Sequence, residues 1–136
     1  MLAVLGSLLL PGKAAGEEPD EPVVNSCRQT ACSAPKPLTP KEYLYAHAGD
    51  QAKILDRVIT CESGWKPTIK NKSSSATGLA QFIDGTWRST RIKMGLEPTL
   101  ESRLDSYQHI DATIFLWDEG RGAGHWAESR PCWKPL

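Results

Sequence analysis

Ile54, Leu55, Val58 and Ile59 fall at i, i+1, i+4 and i+5, with Asp56 and Arg57 on the other side. That period belongs to an amphipathic helix and not to a strand, so a helix is expected over about Asp50 to Cys61. The stripe then runs into a charge, because Glu62 follows Val58 by four and Ile59 by three. A carboxylate on the buried face of a helix end is unusual, since burying an unpaired charge is costly. Two readings fit Glu62. It is a helix-end group that caps a backbone N–H or pairs with Lys66, or it is a reagent. In an apolar pocket, desolvation keeps a carboxyl protonated and able to act as a general acid.

The remaining pattern is also helical. Thr39 precedes Pro40 at a plausible first helical position, so order is expected to begin there. Asn71 to Thr77 (NKSSSAT) is small and polar, a loop. Leu79 to Arg91 is expected to form a helix or helical turn after Gly78, carrying Phe82, Ile83 and Trp87. Leu100, Leu104, Tyr107, Ile110, Ile114 and Trp117 recur by three or four, which predicts a helix over about Thr99 to Glu119. Gly120, Gly122 and Gly124 are placed to end it. No run alternates with period two, so the fold class is mainly α, with few or no short strands, in a single domain over residues 41–136.

The segment before it reads differently. Residues 1–15 hold an apolar stretch too short to span a bilayer, followed by Ala14, Ala15 and Gly16, as in a secretory signal peptide. No Lys or Arg precedes that stretch, and a buried N-terminal segment is the alternative. Residues 16–40 are rich in Pro and Glu and read as a flexible linker. The expected location is therefore secreted, periplasmic or cell-wall associated, with no membrane span once the signal is removed. An exported chain with four Cys is expected to pair them, and Cys27–Cys32 with Cys61–Cys132 closes one short and one long loop. The rival reading makes Cys61 a nucleophile served by His47, His109 or His125. No residues show metal-ligand spacing, and no metal or cofactor is expected. From Lys41 onward there are 13 Lys and Arg against 12 Asp and Glu, which argues against nucleic acid as a partner.

The stretch ESGWKPTIKNKSSSATGLAQF resembles the signature of lytic transglycosylases and goose-type lysozymes. The matching residues are Glu62-Ser63, Pro67, Asn71, Ser75-Ala76, Gly78-Leu79, Gln81 and Thr86-Trp87. The tail WAESRPCW, Trp126 to Trp133, is similar to the closing segment of small secreted members of the lysozyme-like superfamily. The resemblance implies a lysozyme-like helical domain acting, as a monomer, on peptidoglycan glycan strands. It implies that Glu62 protonates the glycosidic oxygen between N-acetylmuramic acid and N-acetylglucosamine. Ser75 and Gln81 would line the cleft, Ser63 would orient Glu62 or a sugar substituent, and Trp65, Trp87 and Trp126 are candidate sugar-facing indoles. The Ala-Tyr-Asn-x-Gly segment of many lytic transglycosylases is absent, and Tyr107-Gln108-His109 lies in that region without matching it. Asp84, the next acidic residue after Glu62, reads as a turn or N-cap residue, which favours a one-carboxylate route to 1,6-anhydro ends. The alternatives are hydrolysis of the same bond by water and a glycan-binding module without turnover.

Overall fold

In the computed structural model, residues 34–135 are described; the expected signal peptide, most of the linker and the Cys27–Cys32 pair lie outside them. Within the compact unit Lys36–Leu136, helix α1 spans Pro40–His47. Its start has two causes. Pro40 loses no helical hydrogen bond there, and Thr39 forms a reciprocal capping box with Glu42. Helix α2 covers Ala52–Ser63 and carries the predicted stripe inward, with Leu55, Val58 and Ile59 fully buried. Gly64 stops it in the left-handed region (φ 60°) and returns its N–H to the Thr60 carbonyl at 3.0 Å.

Residues 64–83 form a loop layer without a strand, held by isolated bridges between Lys70 and Thr77 and between Thr77 and Phe82. Helix α3 follows at Asp84–Lys93, five residues later than the pattern predicts. The delay has a local reason: the Ala80 N–H is taken by His109, and Gln81 sits at φ 52°, outside the helical region.

The long helix expected over 99–119 is broken. A short 3-10 turn covers Glu101–Leu104, and helix α4 begins only at Ser106–Leu116. Asp105 causes the break. Its backbone is extended and its carboxylate accepts from the N–H groups of Tyr107 and Gln108, so it restarts a helix where the apolar spacing suggests continuity. The new register turns Leu104 and Tyr107 to the surface and buries His109, Ile110, Ala112, Thr113 and Leu116. A wide turn at Trp117–Arg121 follows, broken by Gly120 at φ 77°. Gly122 then packs so closely that a Cβ there would lie 2.3 Å from the Trp117 Cα. Two short helices close the domain, α5 at Gly122–His125 and α6 at Arg130–Trp133.

The core lies where α1, α2, α4 and the loop layer meet, around Leu44, Leu55, Ile59, Leu79, Trp87 and Ile110. Polar ties join the helices at its rim: the Tyr43 hydroxyl donates to Asp111, and the Trp117 indole donates to Gln51. Asp56 on α2 gathers Lys41, the Tyr45 hydroxyl and the Trp65 indole. Burial pushes the Asp56 carboxyl up, but hydrogen bonds from those three groups outweigh it and hold it below the ordinary carboxylate value.

Cys61 and Cys132 form the expected disulfide, with Cα atoms 6.1 Å apart. It fixes α6 against the last turn of α2, which leaves Cys61 no free thiol for the nucleophile reading. Its loop spans 71 positions, so the cross-link is expected to stabilise the fold by about 4 kcal/mol through the entropy of the unfolded chain. Denaturant unfolding of a Cys61→Ser/Cys132→Ser variant, with Cys27 and Cys32 unchanged, should show that loss.

Candidate active site

Glu62 sits half-buried in the last turn of α2. Its Oε1 accepts a hydrogen bond of 2.5 Å from the Ser129 hydroxyl, across 67 positions of sequence. Among the described residues no protein group hydrogen-bonds its Oε2. Ser63, expected to orient Glu62, is buried and donates instead to the Ile59 carbonyl one turn back. The hydroxyl that meets the carboxylate therefore comes from the tail.

The loop layer is built from below by two buried polar side chains. His109 on α4 has no exposed surface. Its Nδ1 lies 2.8 Å from the Arg103 carbonyl, which can only accept, so Nδ1 carries the proton. Nε2 then accepts from the Ala80 N–H at 2.9 Å. Gly78 passes directly over this ring. A Cβ at that position would lie 2.5 Å from His109 Cε1, and its φ of 86° is one that only glycine adopts without strain. The Gly of the Gly-Leu-Ala-Gln motif is thus required twice, by backbone angle and by space.

Arg103 is the second support. Its Nη1 donates to the carbonyls of Ser75 and Phe82 and to the Asp84 carboxylate, the last at 2.8 Å. The Ser75 hydroxyl in turn accepts from the Asp84 N–H at 3.0 Å. Ser75 and Asp84 are therefore occupied in shaping the loop and the start of α3. Asp84 in particular is ion-paired rather than offered as a second acid.

Gln81 stands at a positive φ of 52°, with its Nε2 donating to the carbonyls of Gly78 and Ile69. It lines a cavity of about 290 Å³ together with Ile83, Thr86, Leu116, His125 and Trp126. The Trp126 indole N–H is taken by the Ala80 carbonyl at 2.8 Å. Trp126 so offers this cavity a carbon surface, while its backbone carbonyl accepts from Ser129 and Trp133. Trp87 corrects the expectation of a sugar-facing indole. It is fully buried, packed edge-on to Phe82 and bonded to the Thr99 carbonyl, and presents no face to a glycan. Trp65 also sits at a positive φ, of 64°, with its indole N–H committed to Asp56. Among the described residues no group of His, Cys, Asp and Glu is arranged to hold a metal ion.

Ser129, Arg103 and His109 are the site-shaping residues that spacing alone does not single out. Ser129 had one usable signal. A disulfide joining Cys132 to the neighbour of Glu62 brings residue 129, one turn away, to the same place.

The fold is helical, with a half-buried carboxylate ending α2 and a loop layer held by His109 and Arg103, as a lysozyme-like domain requires. The model of the Transglycosylase SLT domain matches residues 43–122, more than half of the chain, and the protein belongs to that family of peptidoglycan glycosidases of the lytic transglycosylase type. No curated protein and no solved structure matches the chain. The matched span ends before Trp126, Ser129 and Cys132.

Burial lowers the pKa of His109 to about 4, outweighing the hydrogen bond to the Arg103 carbonyl. The ordinary value in an unfolded chain is about 6.5. The folded pKa is the lower of the two, so the unfolded chain takes up the proton first as pH falls. The stability that neutral His109 provides is present above about pH 6.5 and is lost progressively toward pH 4, about 3 kcal/mol in all. Between pH 6 and 5, denaturant unfolding should show a slope approaching 1.4 kcal/mol per pH unit, on the order of one proton. A flat profile there would contradict the buried neutral assignment.

Proposed function

We propose that this protein is an exported enzyme that cleaves the bond between N-acetylmuramic acid and N-acetylglucosamine in peptidoglycan, with Glu62 as its single general acid and base. The observation that carries this reading is the contrast between two carboxylates. Glu62 keeps one oxygen without a protein partner at the end of α2, whereas Asp84, the next acidic residue in the sequence, is bound by Arg103. A two-carboxylate glycosidase needs a second free carboxylate within about 5–10 Å of the first. On the single-carboxylate reading, the substrate itself supplies the nucleophile.

In the proposed reaction, protonated Glu62 gives its proton to the glycosidic oxygen as the bond from that oxygen to C1 of the muramic sugar breaks. The resulting carboxylate then takes the proton of the C6 hydroxyl of the same sugar, and that oxygen closes on C1. Atoms balance without water: one glycosidic bond breaks, one intramolecular ether bond forms, and Glu62 ends protonated as it began. Attack by water in place of the C6 hydroxyl gives ordinary hydrolysis. The roles of the cavity residues follow from chemistry. Gln81, its amide N–H groups held by backbone carbonyls, presents its amide oxygen to sugar hydroxyl and acetamido N–H groups, and Trp126 presents an apolar face to a ring.

Purified peptidoglycan incubated with wild type and Glu62→Gln tests the assignment, with mass spectrometry of the released muropeptides as the readout. Loss of the proton donor should lower turnover by at least about 10²–10⁴-fold. Wild-type products should carry 1,6-anhydro ends, lighter by one water than hydrolysed ends. Equal cleavage by both proteins would remove Glu62 from the mechanism, and binding without any cleavage by wild type would identify a glycan-binding module.

A further inference from the structure

Ser129 lies beyond the span matched to the family, yet its hydroxyl makes the one hydrogen bond that Glu62 receives from the described protein. Three groups meet at this hydroxyl. Ser129 Oγ is 2.5 Å from Glu62 Oε1 and 3.2 Å from the Trp126 carbonyl, and the Trp133 indole N–H reaches it at 3.1 Å. The same indole also donates to the Trp126 carbonyl at 2.9 Å. The cluster is anchored at both ends: Trp126 and Trp133 are buried, and Cys132, between Ser129 and Trp133 in α6, is covalently joined to Cys61, the neighbour of Glu62.

A hydroxyl has one hydrogen to give and two lone pairs to receive. With Glu62 ionised, the Ser129 hydrogen points to Oε1 and the Trp133 N–H supports the serine oxygen from the other side. With Glu62 protonated for the acid step, the transferable proton sits on Oε2, and the Ser129 hydrogen stays on Oε1, now the carbonyl oxygen of the carboxyl. Either way Oε1 stays tied to the same atom while the carboxyl changes charge. A general acid that must become a general base within one turnover has to keep its orientation through both charge states, and a neutral hydroxyl on the oxygen that does not react allows that. The arrangement also leaves Oε2 as the oxygen that can face a substrate.

Resting on the general acid/base reading of Glu62, we propose that Ser129 is the positioning residue of that carboxylate. It holds Oε1 through both protonation states, with Trp133 and the Cys61–Cys132 bond fixing the serine in place. The tail that follows the family-matched span is thereby part of the catalytic apparatus, and Ser63 is not the serine that orients the acid.

The test compares full-length wild type, Glu62→Gln, Ser129→Ala and Ser129→Thr on soluble glycan strands, with kcat and KM measured separately and thermal unfolding of each protein. Ser129→Ala is expected to lower kcat about 10–100-fold, the scale set by a misplaced catalytic group, with KM within about twofold of wild type. Ser129→Thr, which keeps the hydroxyl, is expected to recover most of kcat. Trp133→Phe, which keeps an aromatic ring and removes the N–H, should give a smaller fall in kcat than Ser129→Ala. A Ser129→Ala enzyme with wild-type kcat, beside an inactive Glu62→Gln, overturns the role of Ser129 and leaves that of Glu62 standing. A loss of kcat that Ser129→Thr does not recover, or that tracks a matching loss of melting temperature, also overturns it. Glu62→Gln as active as wild type overturns both.

Discussion

One buried imidazole sets the geometry on which the site depends. His109 reaches from α4 to the Ala80 N–H on one side and the Arg103 carbonyl on the other, so it fixes the loop carrying Gln81 to the turn carrying Arg103. Both ring nitrogens are used by groups that constrain their polarity, and the ring packs against Phe82 and Trp87. Arg103 completes the support by drawing the carbonyls of Ser75 and Phe82 to one guanidinium nitrogen. A loop layer with two isolated bridges has few backbone hydrogen bonds of its own, so buried side chains must satisfy its polar groups. Removing either support would leave buried donors and acceptors unpaired, which costs more than the lost bond itself.

The end of α2 is held by different means. The end of α2 receives a covalent cross-link at Cys61, a hydroxyl at Glu62 and a left-handed stop at Gly64, in four consecutive positions. The segment facing it is short: α6 has only four residues, too few to be stable without tertiary contacts. Its order comes from the disulfide and from the indoles, with Trp133 buried and stacked edge-on to Trp117. The loop layer is thus satisfied by non-covalent bonds, whereas the helix end is clamped by a covalent one.

How much of this the sequence discloses follows from how local each determinant is. The α2 stripe, the Thr39–Pro40 start and the Cys61–Cys132 pair were legible because periodicity, capping chemistry and cysteine arithmetic act over short or countable relations. The break at Asp105 was not. The apolar residues from Leu100 to Trp117 keep a helical spacing across it, and only the side-chain cap shows that two helical segments share the stretch. Trp87 was misplaced for a related reason, since an indole serves core and cleft equally well on composition and only tertiary packing decides. Spacing does not give the roles of Ser129 and His109, whose partners lie 67 and 29 positions away; only the disulfide points toward the first.

The backbone itself marks the same region. Two non-glycine residues of the described chain have a positive φ, Trp65 and Gln81. One lies just past the last turn of α2 and the other ends the Gly-Leu-Ala-Gln motif. Such conformations cost on the order of 1–3 kcal/mol each and persist only where neighbours over-determine them. The neighbours are present in both cases: Asp56 holds the Trp65 indole, and Gly78 and Ile69 hold the Gln81 amide. Glycine at either position would relieve the strain but would remove the side chain that those bonds hold in place. The sequence retains the strained residue at each, which is the expected outcome where side-chain placement matters more than backbone ease. Helix α2 could end at Gly64 without Trp65 and the loop could turn without Gln81, so what the strain secures is the position of an indole and an amide, both downstream of Glu62 in the sequence.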